Sequence, residues 1–132
     1  MYYSDMGLFT YFSNKSLNDI VIKTQRDKIS GIFFENYISI ELSRYNIKQF
    51  YWKGKKSAEI EFILTNSDNQ IFPVDVKANK GNFKSIGEYI KMNKMEYAVK
   101  ISQNNLGFSN KIKTIPLYMA FLFLKEFNQN KN

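Results

Sequence analysis

The stretch that decides the fold runs from residue 58 to residue 78 and contains two alternating segments. In Ala58-Glu59-Ile60-Glu61-Phe62-Ile63-Leu64, apolar side chains recur at every second position. The alternation returns in Gln70-Ile71-Phe72-Pro73-Val74-Asp75-Val76-Lys77-Ala78, after the polar link Asn66-Ser67-Asp68-Asn69. A period of two predicts strands with one buried face, and the short link predicts an antiparallel hairpin.

Three charged side chains fall on one face of this predicted hairpin. If the apolar faces match, Ile60 and Phe62 lie together on the buried side, while Glu61, Asp75 and Lys77 project from the other. Two carboxylates beside an ammonium can hold a hard divalent cation and contact a phosphodiester. The same trio can also be a solvated strand face with cross-strand ion pairs, and alternation alone leaves both interpretations open.

The elements around the hairpin complete a mixed α/β pattern. Residues Asn18 to Tyr45 have the three-to-four spacing of apolar residues that predicts a helix, and the aromatic segment Lys48 to Lys53 predicts a strand. Beyond the hairpin, Ser85 to Met92 predicts a helix and Tyr97 to Ile101 a strand. The apolar segment Ile115 to Leu124 fits a buried strand and helix, or a contact surface.

Composition limits the function classes. The chain has 132 residues, 44% of them hydrophobic, which suits one domain; we expect residues 1–127 to form it and residues 128–132 to be a disordered tail. Absence of Cys and His excludes thiol nucleophiles, His-based triads and Cys or His zinc sites. No signal peptide or membrane-length apolar run is seen, so we expect a cytoplasmic protein with no membrane partner.

Further candidates come from spacing and charge. Glu35 precedes Ile38 by three positions and Leu42 by seven, so it borders the buried helix face and can either complete the carboxylate set or lie at the helix rim. A formal charge of +7 favours a polyanionic partner such as nucleic acid. Five lysines are candidate nucleic-acid contacts, or alternatively a solubilising surface: Lys53, Lys55, Lys56, Lys80 and Lys84.

The order of these elements and acids resembles a known family. A helix with Glu35, a strand with Glu61, a strand with Asp75-Val76-Lys77, then a helix and a strand resemble the core of the PD-(D/E)XK nuclease superfamily. More narrowly, the chain is similar to the nuclease-like domain of unknown function that lies C-terminal to the ATPase module in bacterial and archaeal AAA-type ATPases. Short strings carry this narrower likeness: Tyr3-Ser4-Asp5-Met6-Gly7-Leu8, Gly31-Ile32-Phe33-Phe34-Glu35-Asn36, Tyr51-Trp52, Ser57-Ala58-Glu59-Ile60-Glu61-Phe62, Pro73-Val74-Asp75-Val76-Lys77 and Ile115-Pro116-Leu117-Tyr118.

The resemblance implies a fold and a chemistry. The fold would be a restriction-endonuclease-like α/β core, a central mixed β-sheet flanked by α-helices. Glu35, Glu61, Asp75 and Lys77 would be catalytic, with Glu61 and Asp75 holding Mg²⁺ or Mn²⁺ for hydrolysis of DNA or RNA. An ATPase module would be the partner, since the chain itself lacks the G-x-x-x-x-G-K-[ST] phosphate loop.

One departure from the family keeps an alternative open. The family usually has Asp where Glu61 stands and Glu where Asp75 stands, so the carboxylate lengths are exchanged. A displacement near 1 Å can cost about 100-fold in rate. The alternative is therefore a catalytically inactive nuclease fold that binds nucleic acid or regulates the ATPase.

Overall fold

The computed structural model describes residues 2–13, 26–54, 58–66, 69–77 and 84–129, with the side chains of 26–30 and 129 left aside. In these residues the chain forms four α-helices, one 3-10 helix and six strands, which confirms the predicted mixed α/β class. The order along the chain is α1 (Met6–Phe12), α2 (Arg26–Arg44), β1 (Phe50–Lys53), β2 (Glu59–Thr65), β3 (Ile71–Lys77), α3 (Lys84–Asn93), β4 (Ala98–Ser102), β5 (Gly107–Ser109), β6 (Ile112–Pro116), the 3-10 helix (Leu117–Met119) and α4 (Ala120–Gln129).

The six strands form one mixed sheet in the order β1-β2-β3-β4-β6-β5. Strands β1, β2 and β3 are antiparallel neighbours, so the predicted β2–β3 hairpin is confirmed. Strands β3, β4 and β6 run parallel, and β5 returns antiparallel along β6. A parallel β3–β4 pair needs a crossover connection, and α3 lies in that connection.

The larger hydrophobic core lies on the face of the sheet covered by α2 and α4. Side chains of β2, β3, β4 and β6 pack there against both helices, and most are fully buried. The buried members are Ile38, Leu42, Ile47, Phe62, Leu64, Val74, Val76, Val99, Ile101, Ile115, Ala120, Leu124 and Phe127. Helix α2 ends at Arg44 and is followed by a Schellman cap, in which Asn46 has a φ of 53° and the Ile47 N–H donates to the Leu42 carbonyl over 2.9 Å.

A smaller apolar cluster covers the opposite face, beneath α3. It contains Ile60, Ile63, Ile86, Tyr89 and Ala98. Fewer apolar residues line this face, and the same face of β3 and β4 carries the charged side chains described below. The charged residues therefore lie on the face of the sheet that has the smaller apolar cluster.

The predicted grouping of Ile60 with Phe62 is wrong, because β2 contains an irregularity. Phe50 pairs with Ile63 and Trp52 with Ile60, so two residues of β1 span three of β2. Such a bulge reverses the side on which following residues project. Ile60 accordingly packs with Ile63 beneath α3, while Phe62 packs on the α2 side. Simple alternation could not reveal the extra residue.

The ends of several predicted elements also differ. Helix α2 spans Arg26–Arg44, and the predicted start at Asn18 lies outside the described residues. Helix α4 continues through Asn128 and Gln129, which the sequence assigned to a disordered tail, while residues 130–132 are outside the description. The α1 helix and strand β5 had no counterpart in the sequence predictions, whereas the strand and helix predicted within Ile115 to Leu124 correspond to the end of β6 and the start of α4. Among the described residues, no helix is both long and apolar enough to cross a bilayer.

Candidate functional site

The structure brings Glu61, Asp75 and Lys77 together at the end of the β2–β3 hairpin. Lys77 Nζ lies 2.5 Å from Glu61 Oε1 and 2.9 Å from Asp75 Oδ1. The backbone N–H of Val76 donates to Glu61 Oε2 over 3.3 Å, which fixes the second oxygen of that carboxylate. The ammonium thus bridges two carboxylates that come from adjacent strands.

Burial differs sharply among the three side chains. That of Asp75 is 1% exposed, that of Glu61 14% and that of Lys77 32%. Among the described residues, neither Asp75 oxygen has a hydrogen-bond partner of regular geometry. The contact with Lys77 is therefore an ion pair rather than a directed hydrogen bond. A carboxyl group buried in this way is costly to ionise, which raises its pKa.

A second lysine, Lys100, completes the charge distribution, and the sequence analysis missed it. Lys100 is the register partner of Asp75 on the parallel neighbour β4, and only 1% of its surface is exposed. Register partners project from the same face of a sheet, so the Lys100 side chain belongs to the same polar layer. The residue in the middle of Ala98-Val99-Lys100-Ile101 looks like an exposed lysine until the flanking strands are known.

The charges in this layer act on one another. Burial and the neighbouring Glu61 raise the pKa of Asp75 to about 8. Burial would also raise the pKa of Glu61, but Asp75 and Lys77 together bring it below its ordinary value. Burial would lower the pKa of Lys77, but Asp75 and Glu61 raise it, so Lys77 is charged. Burial lowers the pKa of Lys100, against the attraction of Asp75.

Glu35 is half-buried on α2 and responds to the same charges. Its pKa is raised to about 7, mainly by burial and then by the Glu61 carboxylate, while Lys77 opposes the shift. This shift is consistent with the predicted position of Glu35 at the edge of the buried helix face, close to Glu61. Glu59 differs: its exposed carboxylate pairs with Lys53 Nζ at 3.1 Å and stays outside the cluster.

Tyr2 is a further neighbour that the sequence analysis did not single out. Its ring stacks on that of Phe62, with centroids 5.7 Å apart. Burial raises the pKa of its hydroxyl to about 12, and the charges of Glu35 and Glu61 contribute to the shift. The N-terminal segment therefore places a neutral O–H group near enough to Glu35 and Glu61 for their charges to raise its pKa. Nothing in the local sequence indicates this long-range contact.

The donor set fits one kind of metal site. The described residues contain no group of three or more His, Cys, Asp or Glu side chains arranged to hold a metal ion. Glu61 and Asp75 both contact the Lys77 ammonium. In the described part of the chain, neither Asp75 oxygen has a hydrogen-bond partner of regular geometry. Mg²⁺ is commonly bound through one or two carboxylates, with water and substrate phosphates completing the shell. Glu61 and Asp75 are therefore the described residues that could hold Mg²⁺ or Mn²⁺, and they do not form a complete protein cage.

The predicted nucleic-acid contacts are only partly described. Lys53 is exposed and already paired with Glu59, and Lys84 is exposed at the start of α3. Lys55, Lys56 and Lys80 lie outside the described residues. The described part thus places two of the five lysines at the surface of β1 and α3.

A protein-family profile described as a domain of unknown function, DUF4143, matches residues 30–120. The chain belongs to this family. Comparisons with curated proteins and with solved structures found no match. The DUF4143 region includes α2 from residue 30 onward and the whole sheet. It therefore contains Glu35, Glu61, Asp75, Lys77 and Lys100, but not Tyr2.

Proposed function

We propose that this DUF4143 domain is a metal-dependent nuclease of the PD-(D/E)XK type, acting on DNA or RNA phosphodiesters. The observation that supports it most is the convergence of Glu61, Asp75 and Lys77 on one ammonium-bridged cluster. An acid on one strand and acid-x-Lys on the next is the residue pattern of that superfamily, and here the three side chains are in direct contact.

Each residue has a chemical role in this proposal. Glu61 and Asp75 would hold Mg²⁺ or Mn²⁺, which when bound supplies positive charge to phosphate oxygens and lowers the pKa of a coordinated water. Lys77 carries a full charge and lies beside both carboxylates, so its ammonium can move to a phosphate oxygen or orient the water. Glu35, with a pKa of about 7, can hold and release a proton near neutral pH.

The test is cleavage by purified protein with Mg²⁺ or Mn²⁺, using end-labelled single-stranded DNA, double-stranded DNA and RNA. We expect a chelator to stop cleavage, and Lys77→Ala or Asp75→Asn to reduce its rate by about 100-fold or more while the circular dichroism spectrum is kept. Lys125→Ala, which removes an exposed charge from α4, is the matched control and should cleave normally. Cleavage that survives Lys77→Ala would sink the assigned mechanism.

A second candidate function is favoured by the charge balance. The Lys77 ammonium contacts both Glu61 and Asp75, and Lys100 is the register partner of Asp75, so basic side chains already lie beside both carboxyl groups without a cation. An inactive nuclease fold that binds nucleic acid, or regulates an AAA-type ATPase module, would use the layer as structure. Under this alternative no metal supports cleavage by any sample, while nucleic acid still binds.

A further inference from the structure

An open groove of about 650 Å³ lies between α3 and the β5–β6 turn. Its lining combines two isoleucines and a glycine with three exposed lysines, which add positive charge, and one asparagine. The lining residues are Gly87, Ile90, Lys91, Lys94, Asn110, Lys111 and Ile112.

Two of these lysines have an unusual backbone. Among the described residues, five non-glycine positions have positive φ, and three of them are asparagines, which tolerate this conformation. The other two are Lys94, with φ of 50°, and Lys111, with φ of 61°. Both line this one groove. Lysine has no conformational advantage there, so its charge is the property to explain.

Each of the two positions is one at which glycine is the ordinary choice. Lys94 follows α3 in a Schellman cap, since the Met95 N–H donates to the Ile90 carbonyl over 3.2 Å. Lys111 is the second residue of the two-residue turn that joins Ser109 to its partner Ile112. Tight hairpin turns with two positive φ values strongly favour glycine at this second position. The chain therefore accepts a conformational cost at both sites.

A second groove lies on the other side of α3 and shares Lys91. It measures about 620 Å³, and its lining includes Trp52, Lys53 and Met92. Trp52 is half-buried, with its ring edge-on to Tyr89 at 5.1 Å. Lys91 therefore lines both grooves, and each groove combines lysines with apolar side chains.

We propose that the groove between α3 and the β5–β6 turn binds a single-stranded nucleic-acid segment, with Lys91, Lys94 and Lys111 contacting phosphates and the apolar floor receiving a base. Ammonium groups spaced around an apolar floor suit alternating phosphates and bases. The groove uses none of the Glu61, Asp75 and Lys77 side chains, so this binding does not depend on the proposed hydrolysis.

The test measures binding of a fluorescein-labelled oligothymidine by anisotropy, in the presence of a chelator so that no cleavage occurs. Lys94→Gly and Lys111→Gly should each weaken binding about five- to tenfold and lower the salt-dependence slope by about one. Both variants should also unfold at higher urea concentration than the wild type, because glycine removes the conformational cost. Weaker binding by a more stable protein cannot be attributed to misfolding.

The matched control is Asn110→Gly, which changes the other residue of the same turn, where φ is 51°, without removing charge. It should bind oligothymidine as the wild type does. Binding by Lys111→Gly that equals binding by Asn110→Gly would overturn the proposal. So would equal loss of affinity for polyglutamate or for phosphatidylserine vesicles in the lysine variants, since the groove would then be a site for another anion.

Discussion

Asp75 on β3 and Lys100 on β4 are register partners in adjacent parallel strands, and each is 1% exposed. Lys77 lies two residues after Asp75 on the same strand, and its more exposed ammonium is 2.9 Å from the Asp75 carboxyl group. Asp75 therefore lies between a buried and a partly exposed ammonium. Burying a charge is costly unless an opposite charge is buried with it, so the fold of this region depends on the pair.

At pH 9, above the Asp75 pKa of about 8, Lys100→Met should lower the free energy of unfolding by about 2 to 4 kcal/mol, because it leaves the ionised Asp75 with only Lys77 as counter-charge. Urea denaturation measures the change, and Lys125→Met, an exposed lysine on α4, should remain within about 0.5 kcal/mol of the wild type. The double variant Asp75→Asn, Lys100→Met should recover part of the loss. Strictly additive losses would show that the two side chains do not interact.

Glu35→Gln should change how stability depends on pH. The folded pKa of Glu35, about 7, is above its ordinary 4.5, so the folded state holds the proton more tightly than the unfolded state. Its contribution to stability is complete below pH 4.5 and is lost as the pH rises through about 7. At pH 8 the variant should therefore be more stable than the wild type, by about 1 kcal/mol after screening of this half-exposed group.

Urea midpoints at pH 4 and at pH 8 test this prediction. The advantage of Glu35→Gln should nearly disappear at the lower pH, where both proteins carry a neutral side chain at position 35. A constant difference across the range would mean that Glu35 titrates normally and is remote from Glu61.

Gly54→Ala should displace the only tryptophan of the chain, Trp52. A methyl group on Gly54 would overlap the indole ring, which also packs against Tyr89. We expect a loss of about 1 to 3 kcal/mol and a red-shifted tryptophan emission. Gly31→Ala is the control, because its methyl group meets open space on helix α2 and should stabilise by about 0.5 to 1 kcal/mol. Unchanged emission in Gly54→Ala would contradict the packing.

Asn36→Ala should release the N-terminal segment from the body of the protein. The buried Asn36 side chain accepts from the Tyr3 N–H over 2.7 Å and donates to the Tyr3 carbonyl over 3.3 Å. Its loss should cost about 1 to 3 kcal/mol and speed hydrogen exchange at the Tyr3 amide. The control is Asn93→Ala, which removes a side chain that donates to the Tyr89 carbonyl within α3 and should leave exchange at Tyr3 unchanged.

The local sequence was sufficient for the hairpin and for its three charged residues. The alternation of apolar and polar residues can be recognised within a single strand, without knowing which strands lie beside it. The short polar link between β2 and β3 then fixes their pairing. Glu61, Asp75 and Lys77 are close because a hairpin brings neighbouring segments side by side. Their contact was therefore predictable from sequence, unlike the bulge in β2 that moves Ile60 away from Phe62.

Tertiary structure alone decided the rest of the site. Lys100 becomes a buried counter-ion only because β4 pairs with β3 on one side and β6 on the other, and no pattern within β4 distinguishes it from an exposed lysine. Tyr2 of the N-terminal segment stacks on Phe62 of β2. The Glu61 carboxylate raises the pKa of Tyr2 and that of Glu35 on α2. Sequence periodicity determines which face a residue occupies; burial and pKa depend on what the remaining chain places over that face.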